Sequence, residues 1–529
     1  MRKTSKYLAV ACALMLAASF GASAAQAREG GGRVTSSGST VWYLAEGSTG
    51  DSPQGYFETF ILVSNPGATS VHVKLWHQLD RQNTLYDGSW QGAEFDVPAL
   101  SRYTVNVADT LNTGAPSPVH EWSVSTRVEA SAPVFAQGSV YWTDKAVVAA
   151  GGMTRQASSE SVAVREPATN WYLAEGSASL TTTAVGPYGF ETWVLVQNPG
   201  TTSADVSISY QTPTRDVAGP SFRLAANTRR SISIGDTLPG EDSVATTVTS
   251  TVPVVTVKSM YFTSLDEYNK PVPRISAHGA AGATDAQTTW WLPMGKLAGD
   301  IAEIYNTYVL VQNPGDETAT AHVDFIGETA GMVTGYTLTL APRTRQTVDV
   351  GRMEGDDAVF NALSGHWFAT IVRCDTPVVA EKAVYYTHPG HITMTTQWVS
   401  GFGSLGTTEL GRSWAIPEGS TAIAPQGTFS TLIGVANPTT SAVNVSIDYS
   451  TTGSVMTAPT FTLEPQSFRV VRVSDTVPNQ WSVSTAITAD GDIAAEGVLY
   501  WDAQSPAFNF TMGNPGTQSA TTCVGQPQD

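Results

Sequence analysis

The sequence predicts an all-β protein built as four tandem antiparallel β-sandwich domains of about 115–120 residues each. Three observations carry this expectation. Trp42-Tyr43-Leu44-Ala45-Glu46-Gly47-Ser48 recurs as Trp171-Tyr172-Leu173-Ala174-Glu175-Gly176-Ser177, loosely as Trp290-Trp291-Leu292-Pro293-Met294-Gly295, and as Trp414-Ala415-Ile416-Pro417-Glu418-Gly419-Ser420. The first tryptophans lie 129, 119 and 124 residues apart, too long for a solenoid unit and right for a small domain. Within each copy the apolar residues alternate with period two, and no copy contains a long segment of helical period.

The elements of one copy follow in order. After the tryptophan motif comes a Gly/Ser/Thr/Pro-rich loop, Ser48–Gly55 in the first copy and Ser177–Gly189 in the second. An apolar strand then runs into a turn at Asn65, Asn198, Asn313 or Asn437, each followed by proline. Asparagine bonds nearby backbone and proline presets φ, so the pair ends a strand in a hairpin. The next strand alternates, with Val71, Val73 and Leu75 on one face and His72, Lys74 and Trp76 on the other. Asp109-Thr110, Asp236-Thr237 and Asp475-Thr476 cap a turn or a single helical turn after a further strand. A pair of strands around a proline, Val124–Ala130 and Val134–Trp142 flanking Pro133, closes the unit. The domains are expected at 40–153, 168–280, 287–396 and 411–515, with a tail at 516–529. Linkers fall at about 154–169, 277–288 and 396–412, where Gly, Ser, Ala and Thr dominate.

Residues 1–27 read as a secretory signal: Arg2, Lys3 and Lys6 precede an apolar run that ends at Ala25-Gln26-Ala27. Residues 28–39 read as a disordered linker. No later run is long and apolar enough for a membrane helix, so the mature chain is expected to be secreted or held at the cell surface. The full chain carries a net charge of −18, and losing three basic residues with the signal makes it −21. Without basic clusters it is a poor match for nucleic acid. Cys374 and Cys523 remain in the mature chain, either as independent thiols or as a disulfide tying the tail to the third domain.

Trp-Ala-Ile-x-Glu-Gly at Trp414–Gly419, Glu191-Thr192 on the next strand, Asn198 at the turn and Pro253-Val254-Val255 downstream resemble the sensory-rhodopsin transducer family. The pattern is also similar to WYLAEG-type repeats of secreted actinobacterial proteins. The resemblance implies a small β-sandwich, related in shape to carbohydrate-binding modules and able to self-associate. It does not imply photoreceptor signalling, because that family's members are typically single cytoplasmic domains. Packing of the four repeats into a pseudo-symmetric assembly is a further expectation.

Chemistry is sparse. Glu46 with Glu58 and Glu175 with Glu191 are carboxylate pairs of the kind that divide roles in glycoside hydrolysis. The third copy has Met294 and Asn306 there, and the fourth has Glu418 and Ser430. The plainer reading makes Trp42, Glu46, Gly47, Asn65, Trp171, Glu175, Gly176, Asn198, Trp290, Gly295, Asn313, Trp414, Glu418, Gly419 and Asn437 structural landmarks. Aromatics that vary between copies, Trp76, Trp90, Trp122 and Trp481, are the better ligand candidates. Gly401-Phe402-Gly403-Ser404-Leu405-Gly406 matches a dinucleotide fingerprint but has no βαβ unit around it. His388 and His391 are a thin metal set. No cofactor or metal is expected. The leading reading is a non-catalytic protein for surface display, adhesion or binding of an extracellular glycan or cell-wall polymer. A secreted glycoside hydrolase and a ligand-free spacer are the alternatives.

Overall fold

Each repeat is two four-stranded layers that share one long strand. In the first repeat that strand is Glu121–Thr143. Its first half pairs with Ser39–Leu44 on one side and Val71–Leu79 on the other, and Ser89–Val97 adds the edge. Its second half pairs with Gly55–Asn65 and Ala157–Ser161, and Ser101–Asn106 adds that edge. The long strands of the other repeats, Ala245–Leu265, Trp367–Thr387 and Ser484–Ala503, make the same two sets of pairings. Among the described residues the chain is therefore all-β, with four antiparallel sheets and a few short helices.

This computed structural model describes residues 38–52, 55–80, 89–111, 121–143, 157–161, 163–183, 186–265, 271–297, 304–351, 357–387, 400–424, 427–503, 517–524 and 526–527, a few strand ends by backbone alone. The signal at 1–27, most of the 28–39 linker, and His388 and His391 lie outside the described residues.

Two features differ from the sequence expectation. The two strands expected around Pro133 are one strand that crosses between layers there, and Pro253 and Pro377 lie at the same crossing. Proline offers no N–H, so it fits where a strand leaves one ladder and enters the next. The stretches read as linkers and tail also contain strands. Ala157–Ser161, Ser400–Leu405 and Thr517–Val524, together with Pro271–Ala281, which begins inside the expected second repeat and runs into the expected linker, each complete the second layer of their repeat. These four last strands meet one another. The Asp-Thr signals sit on single helical turns as expected, at Val107–Leu111, Ile234–Asp236 and Val473–Asp475.

Alternation fills the cores. Val71, Val73 and Leu75 are buried with Trp42, Ile61 and Val63, and matching sets fill the other three sandwiches. The fourth core is continuous with residues of the third repeat, among them Met294, Ile326 and Ala369.

Candidate functional site

The repeated landmarks build the sandwich. Trp42, Trp171, Trp290 and Trp414 are all buried. Each indole Nε1 donates to a carbonyl at the crossing of its own long strand: Val134, Val254, Val378 and Ile493, at 2.8–3.0 Å. A buried indole thus finds the partner its polar atom needs. Asn65 Nδ2 donates to the carbonyls of Thr69, Val97 and Pro98, while its Oδ1 accepts the Gly67 N–H. Asn198, Asn313 and Asn437 repeat that clasp. At Gly47, Gly176 and Gly419 a Cβ would stand 2.8–3.0 Å from the carbonyls of Val124, Val244 and Val483, so only glycine fits. At Gly295 a Cβ would meet the Phe368 ring.

The motif glutamates lie where neighbouring repeats meet. Glu46 is buried against Ser259 of the second repeat, with Arg229 of that repeat among its charged neighbours. Burial pushes its carboxyl up to about 8 against these weaker opposing influences. Glu175 bonds Lys258 Nζ at 2.5 Å and has Arg345 of the third repeat nearby. Burial raises its pKa, but Lys258 and then His278 carry the balance below the ordinary carboxylate value. Glu418 reaches back to the first repeat. It accepts from Ser139 and, at 3.1 Å, from Gln137, and burial raises its pKa. Arg102 of the first repeat donates to the Gly419 carbonyl at 3.2 Å and to Ser482 Oγ at 3.0 Å. Contacts therefore run from repeat one to two, two to three, three to four and four to one.

Two buried lysines hold the same long-strand position in repeats two and three. Lys258 joins Glu175 and Glu381, and Lys382 stands 2.7 Å from both oxygens of Glu496. His278 Nε2 lies 2.8 Å from the Tyr385 hydroxyl, and burial lowers its pKa to about 4. Gly403, inside the dinucleotide-like motif, faces this imidazole, and a Cβ on Gly401 would strike the Tyr385 ring. That motif is the last strand of the third repeat, and its glycines permit close approach at the meeting of strands. Sequence reasoning missed this polar interior because its partners are more than 80 residues apart.

The candidate aromatics do not form one site. Trp76 is half-buried on the outer face, its Nε1 donating to Glu129 at 2.8 Å. Trp90 pairs opposite His77 and packs against the first core. The Trp122 side chain lies outside the described residues. Trp481 is 53 % exposed with its ring 5.4 Å from Phe429, and Ile423 beside it is 70 % exposed. Ile423 N–H donates to Asn479, which ties these two segments together.

This loop end carries an exposed large apolar side chain in every repeat: Tyr56, Leu180, Phe360, and Ile423 with Trp481. Leu180 and Ile423 occupy the same place, three residues after the motif serine. Phe360 lies on the helix Asp357–Leu363, which reaches the motif end through the Gly365 N–H bond to Leu297. A separate depression of about 360 Å³ beside the first–second seam is lined by Asp80, Arg223 and Arg230, among others. Among the described residues no group of His, Cys, Asp and Glu is placed to hold a metal. Cys374 is a free thiol among the described residues, and the Cys523 side chain, on which the expected disulfide depends, lies outside them.

No protein-family model matches the sequence, and no curated protein does. Among solved structures, Thermotoga maritima 1070 matches at 14% identity and a TM-score of 0.19, over 96% of its own length and 23% of this chain. The Anabaena sensory rhodopsin transducer matches at 22% identity and a TM-score of 0.15, over 93% of its length and 18% of this chain. A tetra-tandem repeat from the extending region of a large adhesion protein matches at 11% identity and a TM-score of 0.09, over 98% of its length and 91% of this chain. These are distant likenesses, and the first two cover only part of the chain.

Proposed function

We propose that this chain is a non-catalytic, exported binding protein for an extracellular glycan or cell-wall polymer. Its four repeats act as one body that presents apolar-tipped loop ends. One observation carries the reading: the shared aromatics and motif carboxylates are consumed in cores and seams, while large apolar side chains stand exposed at the same end of each repeat. An exposed ring supplies a face on which a sugar can stack, and Trp481 beside Phe429 is the best-formed platform. The leader at residues 1–27 supports export. Loops on a rigid frame are where recognition concentrates.

The test is a glycan and peptidoglycan binding screen on the mature protein and on Trp481→Ala. Binding by the parent and at least about tenfold weaker binding by the variant, a difference of about 1.4 kcal/mol, are expected. The thermal midpoint should not change. No binding by the parent would favour a spacer. Turnover in a glycosidase assay, abolished by Glu46→Gln with Glu175→Gln, would favour a hydrolase.

A further inference from the structure

The four seams use the same positions, and one of them uses different chemistry. The arginine following the strand-opening Ser or Thr is a charged neighbour of the motif carboxylate across the seam: Arg229 for Glu46, Arg345 for Glu175 and Arg102 for Glu418, while the carboxylates bond Ser259, Lys258 and Ser139 directly. At the third–fourth seam these positions are Met294 and Phe468. Both reach the space in front of Gly434, where a Cβ would collide with Met294 and stand 2.8 Å from Phe468 Cζ. The other repeats have leucine there, at Leu62, Leu195 and Leu310, each three residues before the turn asparagine.

A second position set changes in step. Gln197 donates to Gln78 and Gln312 to Gln211, each at 2.7 Å across a seam. The corresponding residues at the third–fourth seam are Ile326 and Ala436, both buried in one apolar cluster with Met294 and Phe468. The Lys382–Glu496 pair remains, matched one to one because no motif carboxylate competes for the lysine.

We infer that Met294, Gly434 and Phe468, with Ile326 and Ala436, key the third repeat to the fourth, so that the repeats assemble only in chain order. Head-to-tail interfaces between similar units close into a ring or run on into open chains, and nothing in a shared geometry alone chooses between neighbours. A wrong pairing here buries an arginine opposite Met294 or a carboxylate opposite Phe468, each without a partner. That penalty is a device against mispairing.

The test uses the full mature chain. Met294→Glu and Phe468→Arg should each lower the thermal midpoint. The triple variant Met294→Glu, Phe468→Arg, Gly434→Leu, which copies the charged seams, should recover most of the loss. If the single variants do not fold, the reciprocal set decides: Arg229→Phe should be rescued by Glu46→Met with Leu195→Gly. The triple variant should also give a several-fold lower yield of monomer on refolding from denaturant, measured by size exclusion with light scattering, because its seams are interchangeable. Additive losses in both sets, or a triple variant that refolds to monomer as faithfully as the parent, would overturn the inference.

Discussion

The second–third and third–fourth seams solve one packing problem in two ways. At the first of them Lys258 sits between two carboxylates, Glu175 and Glu381, and Gln312 bonds Gln211. At the other, Lys382 pairs with one carboxylate, Glu496, and donates to Ser404, and the remaining positions are Met294, Phe468, Ile326 and Ala436. Both seams use equivalent strand positions, so what repeats along this chain is placement, and side-chain chemistry is exchanged in matched sets. A buried charge is tolerated only with its partner, whereas matched apolar residues of suitable volume fill the same space at little cost.

The largest expected effect breaks the contrast directly. Lys258→Met leaves Glu175 and Glu381 buried together without their cation and should cost about 3–5 kcal/mol in denaturant unfolding. Lys382→Met abandons one carboxylate and should cost less. Next, Gln211→Ile or Gln312→Ala alone removes the amide–amide bond, while the amide left behind keeps its bonds to Thr247 or Asp216, and should cost about 1 kcal/mol. The double variant copies Ile326 and Ala436 and should lose much less than the sum of the two.

A third prediction concerns pH at the first–second seam. Glu46 holds its proton up to about pH 8 when folded, while an unfolded glutamate releases it near 4.5. Folding then binds a proton between these values, so this contribution to stability is full below pH 4.5 and is lost as pH rises through 8. Thermal midpoints measured across that window should fall less steeply in Glu46→Gln, whose amide cannot ionise. The smallest effect tests the equivalence of the repeats. Leu100 has φ 50°, where the second repeat places Asn227 at φ 52°. Leu100→Asn should gain about 1 kcal/mol, read from the same unfolding curves.

The sandwich was legible because its signals are local. The Trp42 motif, the Asn65-Pro66 turn and the Val71–Leu75 alternation are each readable within a few residues, even though Trp42 and Asn65 find their partners at Val134 and Val97. The last strands were not, because Ala157–Ser161 and Ser400–Leu405 are Ser- and Gly-rich and owe their pairing to a distant long strand and to each other. The role of Glu46 was equally hidden, since Ser259 lies 213 residues away. One signal was present and unused. Met294 departs from the motif in the third copy, while Gly434 and Phe468 depart in the fourth, and such coupled departures mark residues in contact.

Closure of the fourth repeat onto the first is the point on which all of this turns, because no linker joins those two. Ser64 Oγ and Ser484 Oγ stand 3.1 Å apart across that seam, close enough for a disulfide after modest side-chain adjustment. Oxidation of Ser64→Cys/Ser484→Cys in a Cys374→Ser background should link residues 64 and 484 within one monomer, as read by peptide mapping under non-reducing conditions. Free thiols at both positions 64 and 484 after oxidation, or a bond found only between separate chains, would contradict the account.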